Sequence, residues 1–217
     1  MLKSKKNVFW EALLVTILIF VLGIFLGIGF EKRNINIIES YYAQSEISMM
    51  DMFVLQNLIE TGEYDCDELV GATINFADKV YEEALLLEPY ENSNILTNNI
   101  VLSHKKYDLL RAFVWVNSLK ISEKCPNKFT PIIYLYEYNT KDIAKIATQK
   151  VWSRILSDAK EKYGSEIILI PIAIDNNLSS VDVIVGKFNV EKFPAIIIGE
   201  KAILNDLTSS ENLKIYI

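Results

Sequence analysis

The chain has 217 residues, 51% of them hydrophobic, and a formal net charge of −6. That length accommodates a membrane span plus one or two small domains, and without a basic stripe carrying interleaved aromatics there is no electrostatic case for nucleic-acid binding. One histidine and two cysteines are too few to assemble a centre of the usual nitrogen and sulfur ligands, so neither a metal nor a cofactor is expected.

Residues Val8 to Phe30 read VFWEALLVTILIFVLGIFLGIGF, apolar apart from Glu11. As a helix rising ~1.5 Å per residue this run extends about 35 Å, enough to cross a ~30 Å hydrocarbon core with some tilt. It exceeds the ~7–15 apolar residues of a signal peptide, and Gly29-Phe30-Glu31 is a poor cleavage site, so an uncleaved signal-anchor is expected. Lys3, Lys5 and Lys6 precede the span; Lys32 and Arg33 follow it. The basic flanks lean toward a single-pass cell-membrane protein with its N-terminus inside. On that reading residues 1–7 are a cytoplasmic tail, 8–30 the transmembrane helix, and the body is extracytoplasmic. Glu11 then lies within a turn of the headgroups. The body carries the acidic excess, which suits a domain held off an anionic lipid surface. Gly23 and Gly27 form a G-x-x-x-G face, a candidate homodimer contact between spans.

From Glu31 to Ile59 no proline or glycine interrupts the chain. Ile35, Ile38, Tyr42, Met49, Met52 and Leu55 share one helical face, and Thr61-Gly62 supplies the stop. Asp65 to Asp67 suit the start of a second helix, with Leu69, Thr73, Phe76, Val80, Ala84 and Leu87 as its stripe and Pro89 as its end. Ser93 or Asn94 caps a third, whose expected buried side is Leu102, Leu109, Leu110, Phe113 and Val116. Three amphipathic helices with short connections imply an antiparallel bundle, so residues 31–125 are read as a helical stalk. His104, between Ser103 and Lys105 on the third helix, reads as a solvated or capping side chain. Cys66 begins the second helix and Cys125 follows the third. An up-down hairpin brings those two ends together, and on the oxidising side a disulfide is permitted there, two free thiols being the alternative.

After Pro126 the periodicity changes. Pro131 to Tyr138 reads as a strand, Thr140 to Tyr163 as a helix with Ile143, Ile146, Val151, Ile155 and Ala159 apolar, and Ile167 to Ile174 as a wholly apolar strand containing Pro171. Asp175-Asn176-Asn177 is a turn, and Ser179 or Ser180 caps a short helix to Val185. Two strands follow, Ala195 to Ile198 and Lys201 to Leu204, joined by Gly199-Glu200. Asp206 or Thr208 opens a last helix running to the C-terminus.

The order β-α-β-α-β-β-α, with Phe188-Asn189-Val190-Glu191-Lys192-Phe193-Pro194-Ala195-Ile196-Ile197-Ile198 entering the third strand, resembles the thioredoxin family. The resemblance covers residues 129–217. It implies an α/β thioredoxin-like domain after the transmembrane helix and all-α stalk, with a cis bond before Pro194. The layout also resembles archaeal membrane-anchored thioredoxin-like proteins. One departure is decisive for chemistry: where that family carries Cys-x-x-Cys after its first strand, this chain reads Tyr138-Asn139-Thr140-Lys141-Asp142. Thiol–disulfide exchange needs a thiolate, and this domain has no cysteine. Thr140 reads as the helix N-cap, with no catalytic residue expected.

The expected role is therefore binding or scaffolding of a protein or peptide. Asn139, Thr140, Phe193 and Pro194 would be the remnant of the family's substrate-facing site. A thiol–disulfide oxidoreductase using Cys66 and Cys125, or a purely structural envelope component, are the alternatives.

Overall fold

Runs rich in isoleucine determine the centre of the molecule. A computed structural model of the protein describes residues 5–62, 64–85 and 98–217. It contains helix α1 (Lys5–Thr61), α2 (Cys66–Leu85), α3 (Asn98–Lys124), strand β1 (Thr130–Tyr136), α4 (Ile143–Tyr163), β2 (Ile167–Ala173), α5 (Ser179–Lys187), β3 (Ala195–Ile198) and β4 (Ala202–Leu204). The chain divides into two units, Met1–Glu46 and Ile47–Ile217.

In the first unit, Phe9–Gly29 is a stretch of mean hydropathy 2.8 with none of it buried, long and apolar enough to cross a membrane. The side chains along it are exposed, Phe20 and Leu26 to about 70%. No Cβ added at Gly23 or Gly27 would meet a neighbour.

The second unit is built on a four-stranded mixed sheet in the order β2-β1-β3-β4. β1 and β2 run parallel, from Thr130↔Ile167 to Tyr136↔Ala173. β3 is antiparallel to β1, from Ile132↔Ile198 to Leu135↔Ala195, and β4 is antiparallel to β3. Alternate residues of each strand face opposite sides. Ile132, Tyr134, Ile167, Leu169, Ile196 and Ile198 pack with Trp152, Leu156 and Ala159 of α4 and with Leu213. Ile133, Leu135, Ile168, Ile170 and Ile172 point the other way and are as fully buried. Helix α3 lies against β1 and β2, and its Trp115 stacks on Phe188 at the end of α5, with ring centroids 5.4 Å apart. Burial on both faces is why these strands read as unbroken apolar runs. Each fully buried isoleucine contributes roughly 1.5–3 kcal/mol to this layering.

Pro171 sits in β2, an edge strand, where a missing N–H forfeits no ladder bond on the outward side. Helix α2 packs along β2 and against α3, covering the edge. Of the helices expected as a stalk, α2 and α3 belong to the same unit as the strands, whereas the first is the continuation of α1 and is divided between the two units at Glu46. The expected stripe of α2 holds, with Leu69, Thr73, Phe76 and Val80 buried, and its start is capped by Asp65, whose Oδ1 accepts from the N–H groups of Asp67 and Glu68 at 2.7 and 3.1 Å. Leu87, Pro89, Ser93 and Asn94 lie outside the described residues.

Five expectations are corrected. On α3, Leu110 is buried as expected, but Leu102, Leu109 and Val116 are exposed, at 58, 48 and 36%, and the buried side also runs through Ser103, His104, Tyr107, Asp108, Arg111, Trp115 and Ser118. On α4, Ile143 and Val151 face solvent and Trp152, Leu156 and Ala159 face the sheet. The cap of that helix is Asp142, not Thr140: Asp142 Oδ1 accepts from the N–H of Ala144 at 2.9 Å and of Lys145 at 3.2 Å. The expected C-terminal helix is a four-residue 3₁₀ turn, Asn212–Ile215, that buries Leu213. Helix α5 starts after Leu178, with no side-chain cap from Ser179 or Ser180.

Cys66 and Cys125 form a disulfide, with Cα atoms 5.7 Å apart, joining the start of α2 to the end of α3. Beside it the Lys128 ammonium donates to Asp67 at 2.6 Å, and that carboxylate raises the Lys128 pKa. The bridge closes a loop of 59 residues, for which the chain-entropy model gives about 4 kcal/mol. Cys66→Ser with Cys125→Ser should therefore lower unfolding stability by about 2–4 kcal/mol in urea titrations of the protein in detergent. An unchanged midpoint would mean that the loop is already constrained in the unfolded chain.

Candidate functional site

The parallel strands β1 and β2 end together, at Tyr136 and Ala173. In open α/β sheets the loops leaving the carboxyl ends of parallel strands are the usual place for a ligand. Two layers of polar residues occupy that end here.

The upper layer is the loop between β1 and α4. The N–H groups of Tyr138 and Asn139 donate to the two carboxylate oxygens of Asp175, at 2.8 and 2.7 Å. Gln149 of α4 braces the start of the loop: Glu137 N–H donates to its Oε1, and its Nε2 donates to the Glu137 carbonyl, both at 3.0 Å. Lys145 adds an ion pair to Glu137 at 2.6 Å. Asn139 is exposed and Thr140 partly so, its hydroxyl lying 3.4 Å from the Asp142 N–H. The Phe193–Pro194 peptide bond is cis. Pro194 is buried and Phe193 half-buried. Because Leu135 pairs with Ala195, Pro194 lies alongside the end of β1 from which the Asn139 loop departs. The register thus brings all four expected rim residues to one end of the sheet.

The lower layer was not anticipated. Asp108, on α3, has no exposed surface. Its Oδ1 accepts from the Ala173 N–H at 3.2 Å and from Arg111 Nη1 at 3.3 Å. Its Oδ2 accepts from Asn176 Nδ2 at 2.6 Å and lies 2.9 Å from His104 Nδ1. Asn176 Nδ2 is also 2.8 Å from His104 Nδ1. Nε2 of the same ring lies 3.2 Å from the Tyr136 hydroxyl, and which ring nitrogen carries the proton decides which of these groups donate to it. The Tyr138 ring lies over the imidazole at 3.9 Å between centroids. His104 is 5% exposed, which corrects its reading as a solvated side chain. Nearby, burial pushes the Tyr134 phenol pKa well up, its contact with Ser153 acting against that shift. The signal for this layer was the spacing of His104, Asp108 and Arg111 along one helical face; a search for apolar stripes passes over it.

The disulfide is elsewhere. Cys125 precedes β1 and the rim follows it, so the seven residues of β1 separate them, about 20 Å at ~3.3 Å per residue. Among the described residues no group of three or more His, Cys, Asp or Glu side chains is arranged to hold a metal ion.

No family model, no curated protein and no solved structure matches this chain.

The lower layer has a measurable consequence. Replacing Asp108 by Ala leaves a buried guanidinium, the Asn176 amide and a backbone N–H without their shared acceptor. Removing one partner from a buried charged network costs about 3–5 kcal/mol. Asp108→Ala should lower stability by that amount in urea unfolding, and Asn176→Ala by less. A loss under about 1 kcal/mol for Asp108→Ala would show that the carboxylate is not the acceptor of this cluster.

Proposed function

We propose that this chain is a single-pass membrane protein whose folded part is a thioredoxin-like, redox-silent domain that binds or scaffolds a protein or peptide on the extracytoplasmic side. The single observation that carries the reading is the arrangement at the carboxyl end of β1. The strand order β2-β1-β3-β4 and the Leu135↔Ala195 pairing put the Pro194 turn beside the Asn139–Thr140 loop. In the family resembled, that pair of segments faces the substrate. Here the loop offers backbone and side-chain hydrogen-bonding groups and no sulfur, so it supports holding an extended chain and not oxidising one. The two cysteines support the same reading, being joined to each other at the other end of β1. The apolar, fully exposed stretch Phe9–Gly29 supports anchoring.

A crosslinkable residue at Asn139 in the full chain should capture a protein or peptide partner in native membranes. Asn139→Arg with Thr140→Glu should reduce that capture at least about fivefold while the urea midpoint of the purified protein stays unchanged. Undiminished capture with an intact fold would move the interaction off this rim.

Orientation has its own readout. Protease added outside intact cells should remove the body and leave a short anchored fragment, as the three N-terminal lysines imply. Full protection, with cell integrity verified by an internal marker, would reverse the topology.

A further inference from the structure

Beneath the rim, a cavity of about 250 Å³ lies between α2, α3, α4 and the parallel strands. By the ~30 Å³ that a water occupies in the liquid, it has room for about eight waters or a compact organic molecule. Arg111, His104 and Tyr136 form its polar side, and Leu85, Leu156 and Leu169 are among its apolar walls.

Its polar side carries an imbalance. Arg111 is 9% exposed, and its Nε has no hydrogen-bond acceptor among the described residues. The guanidinium reaches Asp108 only at 3.3 Å, through Nη1, and that carboxylate also serves the Ala173 N–H, Asn176 and His104. Two other polar groups there are already engaged: the Tyr136 hydroxyl with His104, and the Tyr134 hydroxyl, which donates to the Gln149 carbonyl at 3.0 Å. Glu83, a buried carboxylate on α2, is not among the residues that line the cavity. The cavity holds a charged fork with one long bond, and Leu85, Leu156 and Leu169 are its aliphatic walls.

We propose that this cavity binds a small organic carboxylate, its anionic end on Arg111 and its apolar body against Leu85, Leu156 and Leu169. A guanidinium pairs with a carboxylate through two parallel N–H groups, and the one long bond from Nη1 to Asp108 leaves that capacity unfilled. Confinement and apolar walls favour a compact hydrophobic acid over inorganic phosphate, which brings charge without a body to bury. The residues that line it do not include Asn139, Thr140, Phe193 or Pro194, on which the peptide-binding reading rests.

The test is calorimetric titration of the full-length protein in detergent with sodium benzoate and, separately, sodium phosphate. Benzoate should bind saturably with a Kd near the millimolar range or tighter, and phosphate at least about tenfold more weakly. Arg111→Gln should weaken benzoate binding at least about tenfold. Since that change also disturbs Asp108, a second variant leaves the charges alone: Ala84→Phe, in the cavity wall, should abolish benzoate binding while circular dichroism and urea midpoint stay near wild type. No saturable benzoate signal up to about 10 mM overturns the proposal. Binding that survives Ala84→Phe in a folded protein does so as well, as does equal binding of phosphate.

Discussion

The carboxylate of Asp108 is the constraint around which the upper end of this molecule is organised. It is wholly buried, and a charge in that position is tolerable only if its lone pairs are filled. The fillers come from different parts of the chain: Arg111 and His104 from its own helix, the Ala173 amide from the end of β2, and Asn176 from the turn beyond. A helix packed on a sheet by apolar contact alone can slide by fractions of a turn. One whose carboxylate must meet a particular backbone N–H cannot, because a shift of one residue strands the charge. Apolar burial supplies the drive for α3 to lie on the strands, and Asp108 fixes where along them it stops.

That division explains what was legible in the sequence. The strands were readable because burial on both faces leaves nothing but apolar residues in them, and Ile167–Ala173 fell within one residue of its expected extent. The disulfide was readable because hairpin geometry brings the ends of adjacent helices together, whatever lies in their cores. The buried face of α3 was not. Leu102, Leu109 and Val116 looked like a core stripe, yet the face turned inward carries His104, Asp108, Arg111 and Ser118. A polar residue reads as exposed until its partner is known, and the partners Ala173 and Asn176 lie 65 and 68 residues away. The misjudged cap has a similar origin. Thr140 and Asp142 both suit an N-cap, and the choice falls to the residue whose carboxylate can reach two free amides at once.

The candidate rim was legible as a set but not in its support. Asn139, Thr140, Phe193 and Pro194 follow from the order of strands and the proline turn. The element that holds the loop, Asp175, sits on the far side of α4 in sequence and was read only as part of a turn. Its two oxygens take the Tyr138 and Asn139 amides, so the loop is pinned by its backbone while the Asn139 side chain is exposed. A loop held in this way is what the proposed peptide-holding role requires.

Asp175 and Asn176 are consecutive, and they act in different layers. The first holds the rim from below; the second reaches inward to Asp108 and lies against His104. Tyr136 and Tyr138 repeat the pattern from the neighbouring strand, one through its hydroxyl on the imidazole and the other through its ring. Both connections from the rim to the interior therefore converge on the same histidine and carboxylate. Displacing Asn176 from the lower layer moves Asp175 in the upper one, since only one peptide unit separates them. The rim is thus no independent loop appended to a core: its position is set by the same buried charge that registers α3 on the sheet, so a change in the internal hydrogen bonding must reach the surface loop through the turn after β2.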